Sequence, residues 1–275
     1  MKTSLAGTIQ FSPGGDEICV SLQQLNLLQS VKADGSEGFN VRSPELIDAN
    51  ILRFSPEGER LYFVSKSQSR LSGTSDRPPG EIKTLDISTR QIQSLFVNNE
   101  SEQILRASKF LSLAVGSKFL ACSSVDQTIR LLDSKLGSVV AKQELPTICD
   151  TLSMSSDEST IVAGTRHGDL LVIDIPSGKI RQSIHAHDST VTAVTFAGPE
   201  LVVSGSQDQN LKLWKWSKGK LSEILAFGPL SGLVQELAAS LDGRIVAVLV
   251  EDETAVRLLR VDLLRERLKE YGLDW

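Results

Sequence analysis

Runs of four to seven apolar and β-branched residues alternate with polar turns along most of this chain. The stretch from 187 to 227 shows the pattern best. His187–Phe196, Leu201–Asp208, Leu211–Trp216 and Leu221–Phe227 carry runs that each read as a strand. Gly198-Pro199 separates the first two runs, and Gln207-Asp-Gln-Asn210 separates the next two. The same four-run phrase recurs through Asp150–Met154, Thr160–Gly164, Leu170–Asp174 and Ile180–Ile184, aligned without a gap from Gly164/Gly205 to Gly178/Gly219. Less regular copies start at Ile9, Ile51, Phe119 and Val234. One position recurs at Leu85, Leu132, Ile173, Trp214 and Leu259, with a period of 41 to 47 residues, and Asp86, Asp133 and Asp174 follow it.

A fixed period of this length is the mark of a repeat architecture in which each unit is one small sheet. Six units are visible. A four-stranded unit cannot bury both faces alone, so neighbours must stack. The phrase Phe-Ser-Pro-x-Gly at Phe11–Gly15 and Phe54–Gly58 places proline and glycine at the turn between first and second strands. The expected class is all-β, with residues 1–262 forming the repeats. Residues 263–275 form an amphipathic C-terminal helix and tail, with Leu263, Leu264, Leu268 and Tyr271 near helical spacing and Gly272 as C-cap. One copy departs from the phrase. Ser65–Gly80, rich in Ser, Gly, Pro and Arg, stands where other copies have about four residues. Such a segment reads either as a linker or as a partner contact.

Composition narrows the classes. The 275 residues carry a net charge of −5 with mixed signs throughout, which argues against sequence-independent nucleic-acid binding. No apolar run approaches a membrane span, and the first residues lack the apolar core of a signal peptide. Cys19, Cys122 and Cys149 lie in or beside apolar runs without disulfide or metal-ligand spacing. They read as small buried hydrophobes in a reducing, cytoplasmic setting.

The fifth unit carries a more specific set: His187, Val191, Ser204-Gly-Ser206, Asp208 and Leu-Lys-Leu-Trp214. With the period, this constellation resembles the WD-repeat β-propellers, over nearly the whole chain. No unit has the full Trp-Asp pair; they read Leu-Asp, Leu-Asp, Ile-Asp, Trp-Lys and Leu-Arg. The ending Leu263–Trp275 resembles that of bacterial, planctomycete-type WD-repeat proteins. The resemblance implies a propeller of six recognisable four-stranded blades, with a seventh blade or an incomplete ring as alternatives. The family usually closes its ring with an N-terminal strand. Here few residues precede the first strand, and the sixth unit runs into a charged helix. Closure by the tail, or an open ring able to self-associate through its end blades, are the expected alternatives.

The resemblance further implies a hydrogen-bonded structural network of His187, Ser204 or Ser206, Asp208 and Trp214. It implies a non-catalytic scaffold that binds a protein or peptide on one face. The second-to-third-strand turns would form that face, with Arg70, Arg77, Asp126, Gln127, Arg166, His167, Gln207, Gln209 and Asp252 as candidate contacts. No cofactor, metal, nucleic acid or membrane is expected.

Competing chemistry is weaker. Ser, His and Asp invite a hydrolytic triad, but no nucleophile elbow is present. His185-Ala-His187 has a spacing that suits a metal, without an evident third ligand. Glu251-Asp-Glu253 lacks the alternation of a calcium loop. A metal-dependent hydrolase or lactonase of propeller type needs polar ligands on the inner strands, and these are mostly apolar or small. A regulatory module of a larger signalling protein is the other alternative.

Overall fold

A computed structural model describes residues 9–22, 25–46, 49–66, 80–97 and 110–270. Six antiparallel sheets follow one another along the chain, each an up-and-down meander. The first sheet holds β1 (Ile9–Phe11), β2 (Glu17–Leu22), β3 (Leu27–Lys32) and β4 (Glu37–Arg42). A short 3-10 helix at Pro44–Leu46 leads to the second, with β5 (Asn50–Phe54), β6 (Arg60–Lys66), β7 (Gly80–Asp86) and β8 (Ile92–Val97). The third holds β9 (Phe110–Val115), β10 (Phe119–Ser124), β11 (Thr128–Asp133) and β12 (Val139–Glu144). The fourth holds β13 (Cys149–Met154), β14 (Thr160–Thr165), β15 (Asp169–Asp174) and β16 (Ile180–His185). The fifth holds β17 (Val191–Phe196), β18 (Leu201–Ser206), β19 (Leu211–Ser217) and β20 (Lys220–Phe227). The sixth has three strands among the described residues: β21 (Val234–Ala239), β22 (Ile245–Val250) and β23 (Arg257–Arg260). Helix α1 (Val261–Glu270) follows β23 directly. This is a β-propeller of six blades with one short C-terminal helix.

Two compact units divide the chain, and the third sheet contributes strands to both. In the first unit, Cys19, Leu28 and Phe39 pack with Leu61, Phe63 and Leu85 in one apolar layer between the first two sheets. In the second unit, Val162, Leu170 and Val172 meet Val202, Trp214 and Leu221 between the fourth and fifth sheets. Leu201, Val203 and Leu213 meet Val246, Val248 and Val250 between the fifth and sixth. Val261, Leu264 and Leu268 of α1 join that last layer, while Arg265 reaches Glu200 at 3.7 Å.

Strand position within a sheet decides burial. Every residue of β14 and β18 is buried, because neighbouring sheets cover both faces. The fourth strand β16 alternates half-buried and exposed residues, as an outer strand must. Inner strands of the second unit are tied together by hydroxyls. Thr151 Oγ1 accepts from the Val194 amide at 3.2 Å, and Ser153 Oγ accepts from the Phe196 amide at 3.1 Å. The tight approach explains the recurring glycine of the second strands: a Cβ on Gly205 would overlap the Val234 side chain.

Turns repeat their chemistry as well. Ser12, Ser55, Ser155 and Ser240 each accept, through the side chain, from an amide five residues on, at 3.0–3.2 Å. The recurring aspartates serve the opposite turn. Asp86 accepts from the Thr89 amide at 2.8 Å, and Asp133 from the amides of Lys135 and Leu136 at 2.9 and 2.7 Å. The hydroxyl of Ser88 and the Thr89 amide hold Asp86 down to a pKa of about 2. Asp174 instead meets Arg181 at 2.7 Å.

Candidate functional site

Turns between second and third strands are held by one repeated pair of backbone contacts. In the first, third, fourth and fifth sheets, one residue of this turn is left-handed: Asn26 (φ 49°), Gln127 (62°), Gly168 (84°) and Gln209 (67°). Its carbonyl accepts from the connection that leaves the fourth strand. The donors are the amides of Ser43 (3.1 Å), Leu145 (2.8 Å), Ala186 (2.9 Å) and Leu230 (2.8 Å). A second bond follows in the second unit: the amides of Arg166, Gln207 and Glu251 donate to Ile148, Thr190 and Leu233. Asp252 (φ 63°) takes the same left-handed place in the sixth sheet. Gly168 alone has no side chain at this position, and a Cβ there would overlap the His187 carbonyl. The backbone is fixed by these bonds, so the side chains of the turns project from a firm base.

Those side chains are mostly solvated. Gln127, Arg166, His167, Gln207, Gln209 and Asp252 are exposed, and Asp126 is half-buried. Arg166 is committed locally, since its Nε and Nη2 donate to Asp150 at 2.7 and 3.0 Å. This contact raises the Arg166 pKa. Nearby, His185 Nδ1 lies 3.1 Å from Asp169. Arg70 and Arg77 lie outside the described residues, as does most of the Ser65–Gly80 insertion.

Beneath this surface in the fifth sheet, His187, Ser204, Asp208 and Trp214 form one hydrogen-bonded chain. Asp208 is ionised, so His187 Nδ1–H donates to it, at 3.0 and 3.2 Å from its two oxygens. His187 Nε2 is then an acceptor, and the Ser204 hydroxyl donates to it at 2.8 Å. Trp214 Nε1–H donates to the same Ser204 oxygen at 2.9 Å. The chain of protons therefore runs one way, from indole to hydroxyl to imidazole to carboxylate. Asp208 also accepts from the amides of Asp188 (3.0 Å) and Asn210 (2.9 Å).

Ser206 stands outside this chain. Its hydroxyl donates to the Ser189 carbonyl at 3.2 Å and accepts from the Asp208 amide at 3.0 Å, which sets the turn that carries Asp208. Burial pushes the His187 pKa down, against the pull of Asp208. Burial opposes ionisation of Asp208, but the Asn210 amide, the imidazole and the Asp188 amide together hold its pKa below the usual value.

The arrangement leaves no reactive hydroxyl. Ser204 is wholly buried, and its oxygen already serves the indole and the imidazole. Among the described residues, no three of His, Cys, Asp and Glu gather into a group that could hold a metal ion. The three cysteines are free and buried, and burial pushes the thiols of Cys19 and Cys149 up to about 12. No helix among the described residues is long and apolar enough to cross a membrane.

A polar group in the second sheet was not legible in the sequence. Lys83, buried on β7, lies between Glu81 at 3.5 Å and Glu45 at 3.4 Å. Lysine or arginine two residues before the recurring position (Lys83, Arg130, Lys212, Arg257) was its only signal.

The family model of the WD domain, G-beta repeat, matches residues 178–215, which covers most of the fifth sheet and its buried chain of hydrogen bonds. Apoptotic protease-activating factor 1 of Danio rerio is 24% identical over 226 residues, covering 80% of this chain and 16% of that protein. WD40 repeat protein poxJ of Penicillium oxalicum is 33% identical over 112 residues, covering 38% of this chain and 32% of that protein. Eukaryotic translation initiation factor 3 subunit I of Neurospora crassa is 23% identical over 246 residues, covering 81% of this chain and 63% of that protein. The chain thus spans a third or less of the length of the first two relatives. These relatives bear on the fold family and not on the bacterial resemblance of the C-terminal residues. The six-fold strand phrase, the WD40 match in the fifth sheet and the WD-repeat relatives agree, and together they support the WD-repeat β-propeller family for this chain.

Proposed function

We propose that this chain is a non-catalytic scaffold that binds a protein or peptide through its second-to-third-strand turns. One observation carries the reading. The turn backbones are clamped by repeated bonds from the fourth-strand connections, while their side chains remain solvated. A surface fixed before binding loses little conformational entropy when a partner docks. Gln127, His167, Gln207, Gln209 and Asp252 are the proposed contacts. Arg166 contributes its outer guanidinium edge while Asp150 holds it in place. The sequence adds Asp126, Arg70 and Arg77 to this set. The buried His187–Ser204–Asp208–Trp214 chain serves structure: it fixes the turn beneath the contacts.

The WD-repeat likeness supports the scaffold role, and one relative is by name a subunit of a larger factor. Three free, buried cysteines suit a reducing compartment such as the cytoplasm.

The test compares the wild-type chain with a variant carrying His167→Ala, Gln207→Ala and Gln209→Ala. All three side chains are exposed, so thermal unfolding should be nearly unchanged. Partners captured by the wild-type chain, identified by mass spectrometry and re-bound as purified proteins, should bind the variant at least about tenfold more weakly. Equal affinity for both chains refutes this face.

A further inference from the structure

The second sheet replaces the buried chain of the fifth with charge. Register makes the comparison direct. Val202 pairs with Trp214 and Ser204 with Lys212 in the fifth sheet. Leu61 pairs with Leu85 and Phe63 with Lys83 in the second. Phe63 and Leu85 thus hold the places of Ser204 and Trp214, and both are fully buried in the apolar layer. No hydroxyl and no indole are present to build the chain of hydrogen bonds. The remaining polar places are filled by ions: Lys83 on β7, Glu81 two residues before it on the same strand face, and Glu45. Glu45 lies in the connection entering the sheet, five residues before Asn50, much as His187 lies four residues before Val191.

The Ser65 hydroxyl shows what has changed. Ser65 pairs with Glu81 at the end of β6, in the place that Ser206 has on β18. Ser206 joins the Asp208 amide of its turn to the Ser189 carbonyl of the incoming connection, whereas the buried Ser65 oxygen has no partner among the described residues.

We infer that Glu45, Lys83 and Glu81 form an electrostatic latch that holds the connection carrying Glu45 against the second sheet, in the role His187 and Asp208 fill in the fifth. The Lys83 side chain is 4% exposed, and a buried cation needs a counter-charge. Glu81, 8% exposed, supplies a fixed one from its own strand. Glu45 is the movable member: its side chain is 43% exposed and stands on a 3-10 turn. Leu46, buried in the apolar layer, and the Ser21 hydroxyl on the Ala49 carbonyl at 2.8 Å are the uncharged anchors of the same connection. A latch with a half-exposed member is screened by salt, whereas a chain of buried hydrogen bonds is not. One end of the second sheet is therefore loosened by ionic strength, and the corresponding end of the fifth is not. The latch stands whether or not that end binds a partner.

Amide hydrogen exchange on the whole chain tests it, reading peptides over 43–54 and 187–206. Glu45→Gln should speed exchange in the first peptide roughly three- to fivefold, with Glu45→Lys larger, and leave the second unchanged. Raising NaCl from about 0.05 M to about 1 M should speed the first peptide in the wild-type chain but not in Glu45→Gln, since the Debye length shrinks to about 3 Å. Unchanged exchange over 43–54 in both variants, equal acceleration in both peptides, or a salt response that survives Glu45→Gln overturns the latch.

Discussion

Ser204→Ala is the sharpest test of the buried chain in the fifth sheet. The substitution removes one oxygen from a fully buried site and hardly changes volume. That oxygen accepts from Trp214 Nε1 at 2.9 Å and donates to His187 Nε2 at 2.8 Å. Both groups are then left without partners. The imidazole cannot compensate by changing tautomer, because its other nitrogen must keep its proton for Asp208. Each orphaned buried group costs about 1–3 kcal/mol, so the variant should lose about 2–6 kcal/mol. An exposed control such as Ser36→Ala should stay within about 0.5 kcal/mol. The assay is equilibrium urea unfolding followed by circular dichroism. A double-mutant cycle with Trp214→Phe sharpens it: Phe removes the indole donor, so one penalty should disappear and the two losses should fall short of additive by about 1 kcal/mol or more. A loss below about 0.5 kcal/mol for Ser204→Ala, or full additivity in the cycle, would refute the directional chain.

Acid should weaken the protein through the same residues. The folded pKa of His187 lies below its ordinary 6.5, so the unfolded chain binds the proton first as pH falls. The stability this group contributes is complete above about pH 6.5 and drains away as pH drops through its folded value; Asp208, also lowered, adds a loss below about 3.8. Urea midpoints should therefore fall from pH 7.5 to 5.5, and His187→Asn should flatten that slope. Gly205→Ala puts a Cβ into the Val234 side chain and should cost about 1–3 kcal/mol, read as a lower urea midpoint; an unchanged midpoint would mean the inner strands yield easily. Cys19 and Cys149, with thiols near pKa 12, should resist a thiol reagent at pH 8 in the native protein and react in about 6 M urea; rapid labelling of the native chain would contradict their burial.

Much of the fold was legible because a strand's burial depends on its neighbours along the same short phrase. The recurring Leu85, Leu132, Ile173 and Trp214 place one buried residue per third strand, and each is 0–2% exposed. The aspartates after them were legible as a repeat, although their work at the third-to-fourth-strand turn was not. Within the fifth sheet the sequence left Ser204 and Ser206 as alternatives. They stand two apart on one strand face, and only the cross-strand register, with Ser204 opposite Lys212, decides which one meets the indole. The start of α1 at Val261 instead of 263 reflects the buried Val261 side chain, which joins the apolar layer under the helix.

By itself the sequence determined what is periodic: six units, the runs that become their strands, the turn residues between first and second strands, and the candidates for the buried polar set of the fifth. These follow from local alternation and from residues whose backbone preferences act within a few positions. The tertiary structure decided what joins residues distant in sequence. Leu145, Ala186 and Leu230 come to the left-handed turns 18 to 21 residues before them, and Glu45 comes to Lys83 across 38 positions. Such contacts depend on how each connection crosses its sheet, and no pattern of hydrophobic and polar residues encodes a crossing.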